Sequence, residues 1–161
     1  AMRELCRDAD VIVPNLTEAC LLTGRVYRED ADPDFWKEVL ADLAGLGCRD
    51  VIVTGFRKAD GIGVMSLHQE NGKTTCGTYL NERLPESFHG TGDIFASVLS
   101  GALTRGWPLQ EAQKLAVDFT LECIRRTMED PQRRFYGVNF EQALPMLLGR
   151  MNKAEQEKGQ A

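Results

Sequence analysis

Two short runs of β-branched residues constrain this chain more than any other feature: Val11-Ile12-Val13, closed by Pro14, and Val51-Ile52-Val53, closed by Thr54-Gly55. Neither run alternates with polar residues, so each reads as a strand buried on both faces. Between them lie two segments of helical character. Asn15 opens a helix that runs to about Thr23 and stops at Gly24, and Phe35 to Leu46 carries Phe35, Val39, Leu43 and Leu46 at helical spacing before Gly47. Strand, helix and strand in that order imply an α/β fold with a parallel pair and a right-handed crossover.

The rest of the chain decorates that unit. Residues 2–8 read as the end of a helix, and Arg25 to Asp34 as a charged loop containing Pro33. Gly63–Leu67 and Lys73–Leu80 flank Asn71-Gly72, a strong two-residue turn signal, and predict an antiparallel hairpin appended to the sheet. Glu82 to Phe88 is a loop, Thr91 to Thr104 a helix, and Gly106-Trp107-Pro108 a corner. Leu109 to Thr127 is a long helix with Leu109, Ala112, Leu115, Ala116, Phe119 and Cys123 on one stripe, and Arg125 and Arg126 near its end. Tyr136-Gly137-Val138 reads as a short extended piece. Asn139 with Gln142 then reads as a capping box opening a helix to about Leu148, and 151–161 is a polar tail expected to fray.

With 161 residues, 43% of them hydrophobic, the chain can bury one real core. A net charge of −5 argues against nucleic-acid or anionic-membrane partners, and no apolar run approaches the roughly 18 residues of a membrane span. Cys6, Cys20, Cys48, Cys76 and Cys123 form no C-x-x-C pair, which suits reduced, mostly buried thiols in a cytoplasmic protein rather than a metal site.

The chemistry concentrates in Phe88-His89-Gly90-Thr91-Gly92-Asp93, just before the small and apolar run of a helix. Glycines there permit turns that a β-carbon forbids and present free N–H groups where the helix dipole favours an anion. Such a site can hold a transferring phosphoryl group while Asp93 accepts a proton. The plainer alternative is an ordinary loop with Asp93 complementing the dipole. His89 is expected to make a turn hydrogen bond. Asn15 and Glu18 have capping-box spacing, yet they also place an amide and a carboxylate at a strand's carboxyl end, where α/β sheets bind ligands. Lys114, Arg133 and Arg134 are the other cations available for phosphate, or solvated surface.

Gly90-Thr91-Gly92-Asp93 resembles the signature of the ribokinase-like superfamily in its vitamin-kinase branch, in the version found in pyridoxal and pyridoxamine kinases. Sugar kinases usually have Ala in place of Thr91, and many hydroxymethylpyrimidine kinases have Cys in place of Asp93. The resemblance implies the three-layer fold of that superfamily. It also implies ATP-dependent phosphorylation of the 5′-hydroxyl of a vitamin B6 vitamer, with Asp93 as base and the amides of Gly90, Thr91 and Gly92 as an anion hole. Asn15-x-x-Glu18 is similar to the superfamily motif that helps to place Mg2+, often through water, and Thr54 with Gly55 to the position near the nucleotide phosphates. The match covers the C-terminal half to two thirds of such kinases. Residues 1–150 are therefore expected to be the ATP and magnesium side of a kinase domain. The strand at 11–13 would lack its neighbours, favouring self-association as a homodimer. A hydroxymethylpyrimidine or sugar kinase, or a non-catalytic nucleotide-binding fragment, is the alternative.

Overall fold

The computed structural model describes residues 1–59, 61–133 and 136–158, and the chain divides into two compact units, Ala1–Glu82 and a second beginning at Arg83. The first holds α1 (Met2–Asp8), β1 (Val11–Ile12), α2 (Leu16–Thr23), α3 (Pro33–Ala44), β2 (Asp50–Lys58), β3 (Gly61–Glu70) and β4 (Lys73–Glu82). Its sheet has the order β1-β2-β3-β4, with β1 and β2 parallel and the other pairs antiparallel, as expected of a parallel pair extended by a hairpin.

Local chemistry sets the helix ends. Gly24 takes the left-handed conformation (φ +80°), and the N–H groups of Gly24 and Arg25 both close on the carbonyl of Cys20. α3 begins two residues before the expected Phe35. The Asp32 carboxylate accepts from the N–H groups of Asp34 and Phe35, both at 2.9 Å, and Pro33, whose φ suits a first turn, occupies N1. α3 also ends at Ala44 rather than Leu46, and a tighter turn with Leu46 and Gly47 donating to Leu43 and Ala44 carries the chain onward. Phe35, Trp36, Val39, Leu40, Leu43 and Ala44 pack against Val51, Val53, Met65 and Leu67. Trp36 meets Phe56 edge-on at 5.1 Å.

β2 does not stop at Thr54-Gly55. Thr54 pairs with Val64 but Phe56 pairs with Gly63, so Gly55, at φ +83°, is an extra residue in a bulge through which the strand continues to Lys58. A β-carbon on Gly63 would lie 2.0 Å from the Tyr79 carbonyl oxygen, so only glycine lets β4 approach there. Asn71 and Gly72 both have positive φ (50° and 75°), the turn their sequence predicted.

The second unit contains α4 (Thr91–Thr104), α5 (Leu109–Glu129) and α6 (Phe140–Lys158). Phe119 and Cys123 of α5 pack with Ala143, Met146 and Leu147 of α6 and with Ile94 and Val98 of α4. Asn139 does not form the expected capping box. Its backbone N–H donates to Thr127 Oγ1 and its side-chain N–H to Asp130 Oδ2, both at 2.8 Å, so it ties the α5 end to the α6 start. Tyr136 and Gly137 form a bend, with Gly137 at φ +99°, rather than an extended piece. α6 runs past the expected Leu148 to Lys158, where Arg105–Glu155 and Arg150–Asp118 ion pairs attach it.

Candidate active site

The first group of candidate residues stands just past β1 and beside the Gly55 bulge within β2. Pro14 has no N–H, but its carbonyl accepts from Thr54 N–H at 3.0 Å, and a parallel bridge joins Asn15 to Thr54. Asn15 and Thr54 are thus neighbours just past the carboxyl end of β1, where its parallel alignment with β2 finishes, the side of an α/β sheet on which ligands bind. The capping box is formed in both directions. The Glu18 N–H donates to Asn15 Oδ1 and the Asn15 N–H to Glu18 Oε2, each at 2.9 Å. That leaves Glu18 Oε1 and the Asn15 amide N–H groups without a described partner, on two exposed side chains. Thr54 is half-buried. Its backbone N–H, not its hydroxyl, makes the closing ladder bond, so Oγ1 remains available beside exposed Gly55.

Magnesium keeps several waters and takes one or two carboxylates together with substrate phosphates. Glu18 Oε1 is a hard, solvent-facing oxygen of that kind. No three His, Cys, Asp or Glu side chains converge among the described residues. The donor set therefore fits a largely hydrated magnesium and not a closed protein cage.

The second group is the start of α4. Gly90 is the N-cap at φ +82°, and no side chain caps the helix. The first intrahelical bond, Ile94 N–H to the Gly90 carbonyl at 3.1 Å, leaves the amides of Thr91, Gly92 and Asp93 outside the helix ladder. Thr91 turns its hydroxyl to the Phe88 carbonyl (3.3 Å), bracing the loop instead of blocking those amides. The space beside the Gly92 α-carbon is open, and Asp93 is exposed without an ion pair among the described residues.

Other candidates are settled by their neighbours. His89 is exposed and makes no hydrogen bond among the described residues, contrary to the expected turn bond. Lys114 pairs with Glu111 at 3.0 Å, and Arg133 with Glu86 at 3.1 Å and the Met128 carbonyl. Arg126 pairs with Glu122. Arg134 lies outside the described residues. Burial pushes the thiols of Cys20 and Cys48 up, Arg25 opposing at Cys20, and pushes Cys123 up to about 12. Only Cys76 of the five cysteines is exposed. One polar cluster escaped sequence reasoning: buried Asp50 meets His68 Nδ1 and, at 3.0 Å, Arg49 Nε. Hairpin register, which opposes Asp50 to His68, is the signal that would have found it.

Residues 1–136 match the family model described as phosphomethylpyrimidine kinase. A hydroxymethylpyrimidine/phosphomethylpyrimidine kinase of Haemophilus influenzae is 32% identical over 120 residues, covering 72% of this chain and 43% of that protein. A pyridoxal kinase of Arabidopsis thaliana is 31% identical over 132 residues, 80% of this chain and 41% of the relative. The crystal structure of pyridoxal kinase from Lactobacillus plantarum superposes with a TM-score of 0.80 at 32% identity, over 94% of this chain and 54% of its own. The chain thus spans about half the length of the relatives it matches.

Proposed function

The chain belongs to the phosphomethylpyrimidine kinase family, and from that premise we propose that it carries the nucleotide side of an ATP-dependent kinase acting on pyridoxal, pyridoxamine or pyridoxine. The family is one of small-molecule kinases, and the relatives are named for both hydroxymethylpyrimidine and pyridoxal phosphorylation. The observation that carries the vitamin B6 reading is Asp93, exposed in the first turn of an uncapped helix, at the position where the resemblance gives many hydroxymethylpyrimidine kinases a cysteine.

In this reading Asp93 takes the proton from the 5′-hydroxyl as that oxygen bonds to the γ-phosphorus and the bond to the β-phosphate bridging oxygen breaks, releasing ADP. The amides of Gly90, Thr91 and Gly92 take up charge on the transferring group without reorganising, because Gly90 already holds the turn that exposes them. Thr54 Oγ1 and Gly55 face the nucleotide phosphates. Glu18, held in place by Asn15 through the capping box, would take the water shell of a magnesium ion on its second carboxylate oxygen, and the ion would neutralise phosphate charge. With −5 net charge, and no described helix long and apolar enough to cross a membrane, the proposed partners are small molecules and a second copy, not nucleic acid or membrane; the proposed compartment is the cytoplasm.

Orientation of the second substrate can account for about 7–11 kcal/mol of a barrier. A chain spanning half of its relatives is therefore expected to bind MgATP weakly and to leave pyridoxal unphosphorylated on its own. Calorimetry of the 161-residue chain with MgATP, with and without a chelator, tests the first clause, and a pyridoxal phosphorylation assay the second. A kinase of the relatives' full length carrying this sequence should prefer pyridoxal to hydroxymethylpyrimidine. Preference for hydroxymethylpyrimidine would transfer the assignment to the other named activity. Robust pyridoxal phosphorylation by the 161 residues alone would overturn the half-site reading.

A further inference from the structure

Side chains alternate between the faces of a regular strand, so Arg57, three residues beyond Thr54, should stand on the opposite face from it. Gly55 changes that count, because it is the extra residue of the β2 bulge, at φ +83°. The regular strand β3 measures the result. Thr54 opposes Val64 and Arg57 opposes Ile62, two residues apart on one face of β3. Thr54 and Arg57 therefore share a face, about 7 Å apart along the strand. Val53 opposes Met65, Phe56 opposes Gly63 and Lys58 opposes Gly61, so these three take the other face, where Val53 and Phe56 are buried with the apolar residues of α3. The bulge thus keeps Phe56 in the core and turns Arg57, but not Lys58, to the Thr54 side.

The Thr54 face opens along its length. Ile52 and Val64 are fully buried, Thr54 and Ile62 half-buried, and Arg57 exposed with no hydrogen bond or ion pair among the described residues. Other cations of this unit are engaged. Arg25, Lys37 and Arg49 are held by carboxylates, and Arg28 lies over the Phe35 ring. In a chain of net charge −5, a guanidinium left open beside the Thr54 hydroxyl suits an anionic ligand.

We propose that Arg57 binds the phosphate chain of the nucleotide beside Thr54 Oγ1, an inference that rests on the reading of this unit as part of the nucleotide side of a kinase. A guanidinium presents a planar fork that two phosphate oxygens fill together, and it stays charged throughout the working pH range. Its long side chain can reach back along the face toward Thr54, whose hydroxyl donates to a further phosphate oxygen. Bulges re-aim side chains beside active sites, and here the residue re-aimed is the cation.

Titration of the 161-residue chain with MgATP, followed by heat or by amide shifts, tests the assignment. Arg57→Met should raise the dissociation constant about tenfold or more, the weight of a hydrogen bond to a charged group. Arg57→Lys keeps the charge without the fork and should recover part of that loss. Lys58→Met is the control: exposed and one residue away, but on the opposite face, it should change affinity by less than about twofold. Because Arg57 is exposed and holds nothing in the fold, circular dichroism and the urea midpoint of Arg57→Met should match those of the unsubstituted chain. Unchanged affinity in Arg57→Met, or an equal loss in Lys58→Met, would overturn the assignment and leave the nucleotide reading standing. An unsubstituted chain that binds no MgATP would overturn that reading, and the role of Arg57 with it.

Discussion

Two helix starts in this molecule solve the same problem in opposite ways. α2 closes its N-terminus with a complete capping box, in which Asn15 and Glu18 each bond the other's backbone at 2.9 Å. α4 begins on a left-handed glycine with no side-chain cap, and Thr91, the one hydroxyl at hand, is turned away to Phe88. A capped end is stable by itself, whereas an open one leaves oriented donors for something else. α5 also starts without a side-chain cap. The open end of α4 therefore gains its meaning from Gly90, Gly92 and the exposed carboxylate of Asp93 taken together. At α2 the capping atoms are engaged, and any metal role falls to the second carboxylate oxygen of Glu18. One start is structure with a spare oxygen; the other is, on the proposed reading, the site.

The sharpest break of that contrast is Asp93→Asn. In a kinase of the relatives' full length, turnover should fall roughly 10²–10⁴-fold with nucleotide binding retained, the range for loss of a general base. If Asp93 only complements the dipole, the variant loses about 0.3–1 kcal/mol of stability and keeps its turnover. At α2, Asn15→Ala removes the cap and should lower the unfolding free energy by about 0.5–2 kcal/mol in urea titrations. An unchanged midpoint would mean that the box contributes nothing.

Gly92→Ala separates stability from binding at α4. The position has open space and an ordinary φ, so alanine should stabilise the helix by up to about 1 kcal/mol. The same methyl group stands where an anion would approach, so MgATP affinity measured by calorimetry should drop. Gain in both stability and affinity would refute the open-site account. The smallest stability effect belongs to Glu18→Gln, which keeps the cap geometry and should shift stability by only about 0.3 kcal/mol. Its magnesium titration should nevertheless move to higher concentration. A titration curve that does not move would leave Glu18 as a cap alone.

What the amino-acid sequence determined by itself was whatever depends on near neighbours. The Asn15–Glu18 box, the Gly24 stop, the Asn71-Gly72 turn and the glycine start of α4 all follow from residues within four positions of one another. Asp32-Pro33 was legible in the same way, though the charged stretch around it obscured the cap. Tertiary structure decided the rest, because the competing partners are distant in the chain and their proximity depends on register and packing. The bridge from Asn15 to Thr54 exists only because β1 and β2 align as Val11–Asp50. The bulge at Gly55 exists only because β3 lies alongside to define what is extra. Asn139 had the spacing of a cap, but Thr127 and Asp130 reached it first. Arg133 looked free for phosphate until Glu86, far back in the chain, was seen to hold it. A local hydrogen bond closes few backbone angles and forms wherever its residues occur, whereas each of these distant contacts had to wait for the core to bring its two sides together.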